Sequence, residues 1–386
     1  MAYFDHNATT PLWPEVAEAL CAAHRLGVGS PGNPSSVHRN GRAARARLDA
    51  ARERVAKALG CQPREVCFTG SGSEADALAL RGAFLARKDT ARHRVVTSAI
   101  EHPAVLGTVK QLEAEGVEVV RVAPGPDGRV PASAIISQLG PGTALCSLMW
   151  ANNETGVLQP VAEVAKVCRE RGVLFHTDAV QAVGKVAVTL EASGADLVSL
   201  SAHKLGGPAG VGALLVRRGV PVQALVPGHA EDGRRGGTSN VPYLEALALA
   251  LELATGRLGA ESARLAGLRD RFERELCEQV TGVTVNGAKA PRVPNTSSVT
   301  FAGADGEALL IALDLEGICA SAGAACASGS VTPSHVLTAM GLSTAQAHGS
   351  LRFSLGATTT GEEVDRVLAA LVTHVPKARA AAASVA

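Results

Sequence analysis

The sequence predicts an α/β fold with a mostly parallel central sheet and a smaller α+β domain toward the C-terminus. Three observations carry this. Between Val66 and Val216, short apolar runs alternate with stretches of helical period. The runs lack polar alternation, as strands covered by helices on both faces do. After Tyr243 the alternation stops, long helical stretches reach about Val280, and only isolated strand-like pieces follow.

Taken in order, residues 3–11 are polar and turn-like, with Asp5, Asn7, Thr9 and Thr10 ahead of Pro11. The spacing of Val16, Leu20 and Ala23 predicts a helix over 14–26. Residues 27–36 hold too much Gly and Pro for a regular element, and Asn33, between Pro31 and Pro34, favours a piece of site wall over a mobile linker. Residues 37–59 form a basic amphipathic helix with Leu48, Val55 and Leu59 on one face. Strands are expected at 66–68, 95–96, 117–122, 144–150, 173–175, 197–200 and 211–216, with helices to about Arg87, from Pro103 to about Glu115 and over 161–171. Strand-like 297–301 and 350–354 then precede a helix from Glu362 toward Lys377, after which the Ala-rich tail is expected to fray.

The bulk properties exclude some functions. A balance of 37 basic against 36 acidic residues makes no polyanion-binding surface by charge alone. No apolar run is long enough to span a bilayer, and the start Met1-Ala2-Tyr3-Phe4 lacks the regions of a secretory signal, so a cytoplasmic protein is expected. The eight cysteines show neither Cys-x-x-Cys nor metal-ligand spacing, so no metal site is expected. Seven of them, Cys21, Cys61, Cys67, Cys146, Cys168, Cys277 and Cys319, read as packing residues.

Lys204 is the residue the other motifs serve. The run 197–200 ends in Ser201, His203 and Lys204 and breaks into Gly206-Gly207-Pro208, so a buried strand delivers polar groups to the sheet edge where α/β folds bind ligands. A lysine there suits an imine with an aldehyde cofactor such as pyridoxal phosphate (PLP), once its usual pKa of about 10.4 is lowered. Alone, the string reads as a surface lysine after a strand; the neighbouring motifs overturn that. Thr69-Gly70-Ser71-Gly72-Ser73-Glu74-Ala75 follows a strand and opens a helix, a place for one phosphate. It also matches the loose dinucleotide pattern G-x-G-x-x-A, although no acidic residue falls cleanly about 20 positions on. His102, just past a strand, can stack on a flat ring and move protons. Asp178, ending another strand, would keep a pyridine nitrogen protonated, with Gln181 on the ring's phenolic oxygen. Asn153 lies in a polar cluster ending a further strand, and Thr238 in a Gly/Arg/hydroxyl loop that suits phosphate. Cys326 sits in a run of small residues where a thiol is exposed and available as a nucleophile. Arg352 follows on a short strand, its planar fork matched to a carboxylate.

In order and spacing these pieces resemble the cysteine desulfurases, PLP enzymes of aminotransferase fold type I that take sulfur from L-cysteine, and the resemblance runs from Asp5 to about Gly356. It implies Lys204 as the Schiff-base lysine, His102 as the ring-stacking acid/base, Asp178 as the pyridinium partner, and Asn153 and Gln181 as ring contacts. Gly72, Ser73, Ser201 and His203 become the phosphate cup, joined by Thr238 from the neighbouring subunit of a homodimer. Asn33 and Arg352 become the substrate-carboxylate clamp, and Cys326 the thiol that carries the persulfide. Implied too are an N-terminal arm (1–13) associated with a small domain, a large PLP-binding domain (14–245), and the small domain (246–386) bearing the cysteine loop. The small-residue loop resembles the long version that hands sulfur to an acceptor protein, for iron–sulfur assembly, tRNA thiolation or sulfur modification of DNA. No direct nucleic-acid or membrane binding is expected.

Departures from the family text are Ala77 where asparagine is common, Gly236 before Gly237-Thr238, and Pro227-Gly228-His229-Ala230-Glu231 in place of a Gly-rich stretch. Selenocysteine lyase, aminotransferase and other β-elimination keep PLP; Cys326 separates them, since an aminotransferase has no need of a loop thiol. A nucleotide-binding or scaffold protein without catalysis is the reading from another class.

Overall fold

The computed structural model describes residues 1–87, 92–322 and 333–385. The first strand is Ala2–Tyr3 (β1). The central sheet holds seven strands: Val66–Thr69 (β2), Arg94–Ser98 (β3), Glu118–Val122 (β4), Thr143–Ser147 (β5), Leu174–Asp178 (β6), Leu197–Ser201 (β7) and Gly212–Val216 (β8). Their order is β2-β8-β7-β6-β5-β3-β4, parallel from β7 to β4, with β8 antiparallel to both neighbours. Consecutive strand residues face opposite layers: Leu145, Leu197 and Leu214 pack in one apolar cluster, while Cys146, Val198 and Leu215 pack in the other. That is why these strands carry no polar alternation. Because β3, β5, β6 and β7 run the same way, Ser98, Ser147, Asp178 and Ser201 all emerge on one edge of the sheet.

The rest builds a second sheet from Val283–Asn286 (β9), Thr296–Phe301 (β10), Ser321–Ala322 (β12) and Ser350–Ser354 (β13), ordered β12-β13-β10-β9, while Ile318–Cys319 (β11) pairs with β1 in parallel. Ala2 and Phe4 are buried in a cluster with Phe272, Phe301, Phe353 and Val375, so the first strand packs against C-terminal residues. The strand β9 and the helices Ala132–Gln138, Gly306–Leu315, His335–Ala339 and Thr344–His348 escaped sequence reasoning; most are too short for a period to register.

Two expectations are corrected. The last helix runs from Gly361 to Val385, straight past Pro376. Alanine is the best helix former, and the far side of Pro376 is tied down where Arg379 donates to the carbonyls of Ala302 (2.8 Å) and Thr281 (2.6 Å). Cys21 and Cys277 are exposed on the outward faces of their helices and do not pack.

The turn after Lys204 depends on Gly206, whose φ of +79° lies in the left-handed region and where a Cβ would stand 1.9 Å from the Trp13 ring. Gly206→Ala is therefore expected to cost roughly 2–4 kcal/mol, from backbone strain plus overpacking, read as a lower urea midpoint at unchanged slope.

Candidate active site

A cavity of about 670 Å³ opens at the shared edge of the strands, lined by Gly72, Ser73, His102, Asn153, Asp178, Gln181, Ser201, His203, Lys204 and Arg352 together with Asn7, Asp76, Glu154 and His335. β7 delivers Ser201, and a single helical turn, Ala202–Lys204, lifts His203 and Lys204 over the rim. Lys204 Nζ donates to the carbonyls of Asn7 (2.6 Å) and Ala8. The N-terminal arm is held along this turn by Thr10 N to His203 O (3.0 Å), Trp13 N to Gly206 O (3.0 Å) and Trp13 Nε1 to Leu205 O (2.6 Å).

At the anion end, Gly72 starts a helix that Ser71 caps by accepting from Glu74 N at 3.0 Å. A Cβ on Gly72 would lie 2.9 Å from Val180 Cγ2 and 3.2 Å from Ser201 Cβ, so only glycine lets this helix start reach the end of β7. His203 Nδ1 lies 3.2 Å from Thr9 Oγ1, and burial, then the Lys204 charge, pushes its pKa down to about 4.

Asp178 closes β6 with Oδ1 accepting from Val180 N at 2.9 Å, and burial raises its pKa against the pull of His102 and Lys204. His102 caps the helix Pro103–Ala114 by accepting at Nδ1 from Ala104 N (3.1 Å), which assigns the neutral ring's proton to Nε2. Burial lowers the His102 pKa. Behind them Asp76 and His176 stand 3.6 Å apart, but burial favours the neutral form of each, so the contact is no ion pair.

Arg352, also lining the cavity, is 4% exposed; Nη2 donates to Asp5 at 2.8 Å, Nη1 donates to Asn153 O at 3.1 Å, and Nε has no partner among the described residues. One edge of the fork is thus anchored while a buried donor stays unmatched. The arrangement combines an amine, a buried carboxyl group, a helix start at Gly72 and an arginine around one cavity. Such a set fits a planar, anionic carbonyl compound and a second molecule bearing a carboxylate.

Two expected site residues are not in this cavity. Asn33 lies on the exposed loop after the first helix, its Oδ1 accepting from Ser35 N at 2.9 Å. Thr238 lines a separate small cavity with Phe68, Gly70 and Arg235. Cys326 lies outside the described residues. Among the described residues no three His, Cys, Asp or Glu side chains could hold a metal ion, and no helix is long and apolar enough to cross a membrane.

The profile of the aminotransferase class-V family matches residues 2–367. A cysteine desulfurase from Cereibacter sphaeroides is 47% identical over 381 residues, covering 98% of this chain and 96% of that protein. The chain belongs to the cysteine desulfurases. Two solved structures agree: one titled NifS-like protein (TM-score 0.89, 35% identity, 97% of this chain and 99% of that one) and one titled SspA in complex with cysteine (TM-score 0.81, 34% identity, 92% and 99%). The fold of the desulfurases is thus the α/β fold expected from the sequence.

Several residues of this desulfurase's site escaped sequence reasoning. Asn7 joins it through backbone as well as side chain, which no motif announces. Glu154, with its pKa pushed up to about 7 by burial, accepts from Ser334 Oγ, and His335 Nε2 donates to Glu101 O at 3.0 Å. Glu101 is fully buried: Oε1 accepts from Ser98 Oγ (2.6 Å) and Met149 N (3.0 Å), Oε2 has no partner among the described residues, and burial pushes its pKa up to about 8. A carboxyl that holds its proton more tightly when folded contributes stability that is full below about pH 4.3 and is lost as pH rises through 8. Glu101→Gln, a neutral isostere that keeps both contacts to Oε1, is expected to flatten that slope. Above pH 8 it should be more stable than the parent by on the order of 2–4 kcal/mol in urea titrations across pH.

Proposed function

We propose that this chain takes sulfur from L-cysteine, leaving L-alanine, with PLP held on Lys204 and the sulfur carried as a persulfide on Cys326. The observation that carries the reading is the placing of the Lys204 amine and the Asp178 carboxylate at adjacent strand ends, facing one cavity that Arg352 also lines. The family assignment and the relative solved with cysteine support it. Gly72, Ser73, Ser201 and His203 would hold the phosphate, Asp178 the ring nitrogen, His102 the ring face, and Asn153 and Gln181 the ring edge. The absence of any side chain at Gly72, and a buried carboxylate facing the cavity, fit that group. When bound, PLP supplies an electron sink for charge developing at the substrate α-carbon.

The chain's own residues do the rest. The Arg352 fork, braced by Asp5, takes the substrate carboxylate. Lys204 Nζ, at the cavity rim beside Asp178, takes the α-proton. His102 Nε2, the protonated nitrogen of the neutral ring, is the group to exchange a proton with the substrate near neutral pH. The Cys326 thiolate attacks the substrate sulfur: a sulfur–sulfur bond forms, the carbon–sulfur bond breaks, and the carbon takes up a proton to become alanine. Residues 1–13 act as an arm of the small domain (246–386), with 14–245 as the large domain. The working enzyme is a cytoplasmic homodimer in which Thr238 reaches the partner's phosphate site, and it passes sulfur to an acceptor protein. Incubating the protein with PLP and L-cysteine tests this. Alanine and protein-bound sulfur in equal amounts are expected; alanine without bound sulfur, or turnover of selenocysteine alone, would overturn it.

A further inference from the structure

Lys204 and Gln181 share an acceptor, the carbonyl of Asn7, which takes Lys204 Nζ at 2.6 Å and Gln181 Nε2 at 2.9 Å. Behind that carbonyl stands a second lysine. Lys185 Nζ donates to Asn7 Oδ1 (3.0 Å) and to Gln181 Oε1. With Lys185 Nζ donating to both amide oxygens, both amide NH2 groups point away from it. Asn7 Nδ2 then donates to Asn153 O (3.1 Å) and Thr296 Oγ1 (2.9 Å), and Asn295 Nδ2 supplies the second donor to Asn7 Oδ1 at 3.1 Å. A Gln or Asn amide without such a neighbour can turn over at little cost.

The amine is held where it is by the fold. It follows Gly184 (φ +76°), where a Cβ would lie 2.9 Å from Leu205 Cδ2, so this turn is backed against the residue after Lys204. Ser262 Oγ donates to the Lys185 carbonyl at 2.9 Å. Among the described residues no carboxylate is one of its acceptors; burial, then Lys204 and Arg352, pull its pKa well below the usual lysine range, and burial, then Lys185, pulls His6 down to about 4. Arg257 and Glu261 line the small cavity on its other side. A costly buried amine with amide acceptors is better explained by what it orients than by stability.

We propose that Lys185 is a positioning residue of the desulfurase: it fixes Gln181 as a donor toward the cavity and, through Asn7, fixes the seat of the Lys204 amine. This rests on the reading that Lys204 binds PLP. The test is a pH titration of the absorption band of the reconstituted holoenzyme, with kcat and KM for L-cysteine measured alongside. In Lys185→Met the Gln181 oxygen loses its donor, so the amide's NH2 is held less firmly toward the cavity, and the Lys204-bound group becomes easier to protonate. The titration midpoint should rise by about one unit, and kcat should fall roughly tenfold with KM changed less than about twofold. Gln181→Met should raise the midpoint similarly, and the double variant should add little more. If Lys185→Met does not reconstitute, Lys185→Leu, likewise without a donor, takes its place with the same expectation. An unchanged midpoint and kcat in the variant would overturn the inference, whereas a parent protein with no band at all would overturn the PLP reading instead.

Discussion

Lys204→Ala is expected to lose the absorption of bound cofactor and to slow alanine formation from L-cysteine by roughly 10³-fold or more. In the proposed mechanism Lys204 is both the nucleophile that fixes the aldehyde and the base that takes the α-proton, and a positioned base alone contributes about 10²–10⁴-fold. No nearby amine takes over. Lys185 is close, but its donors are committed to Asn7 Oδ1 and Gln181 Oε1 and it does not line the main cavity. The fold should tolerate the change, because Lys204 is only part-buried and its amine donates to arm carbonyls at the rim of the cavity, not within the apolar core. A far-ultraviolet spectrum and urea midpoint close to the parent's would separate chemistry from misfolding. Turnover within a few-fold of the parent would remove Lys204 from its assigned role.

Cys326→Ser is the second large effect and has the opposite signature. The cofactor band and its response to L-cysteine should persist, while protein-bound sulfur disappears and alanine formation falls by at least about 100-fold. The hydroxyl is a far weaker nucleophile toward sulfur than a thiolate. Mass spectrometry of the intact protein after L-cysteine reads the difference directly, as added sulfur on the parent and none on the variant. Persulfide on the serine variant would place the acceptor thiol elsewhere; the exposed Cys21 and Cys277 are the first places to look.

The central sheet could be read from the chain because its strands are apolar on both faces and end in polar motifs, so the polar ends marked the edge where ligands bind. Asp178 and Ser201 were legible for that reason, each being an uncompensated polar group at the end of a buried run. Lys185 was not: it follows a glycine turn three residues beyond Gln181, and only the crossing of the N-terminal arm turns that spacing into a shared hydrogen-bond network. Asn7 was invisible for the complementary reason, since its backbone carbonyl carries half of its role. Asn33 lies away from the cavity of its own chain. Two flanking prolines made it look like wall, but its own loop satisfies its side chain through Ser35 N. Tail composition misled too, because the helix past Pro376 is held by Arg379 reaching carbonyls far away in sequence.

The most direct measurement is to treat the PLP-reconstituted protein with borohydride, which reduces an imine to a stable secondary amine, and to map the modified peptide by mass spectrometry. The account predicts the pyridoxyl group on Lys204 alone. Its appearance on the neighbouring Lys185, or on no lysine of this cavity, would contradict it.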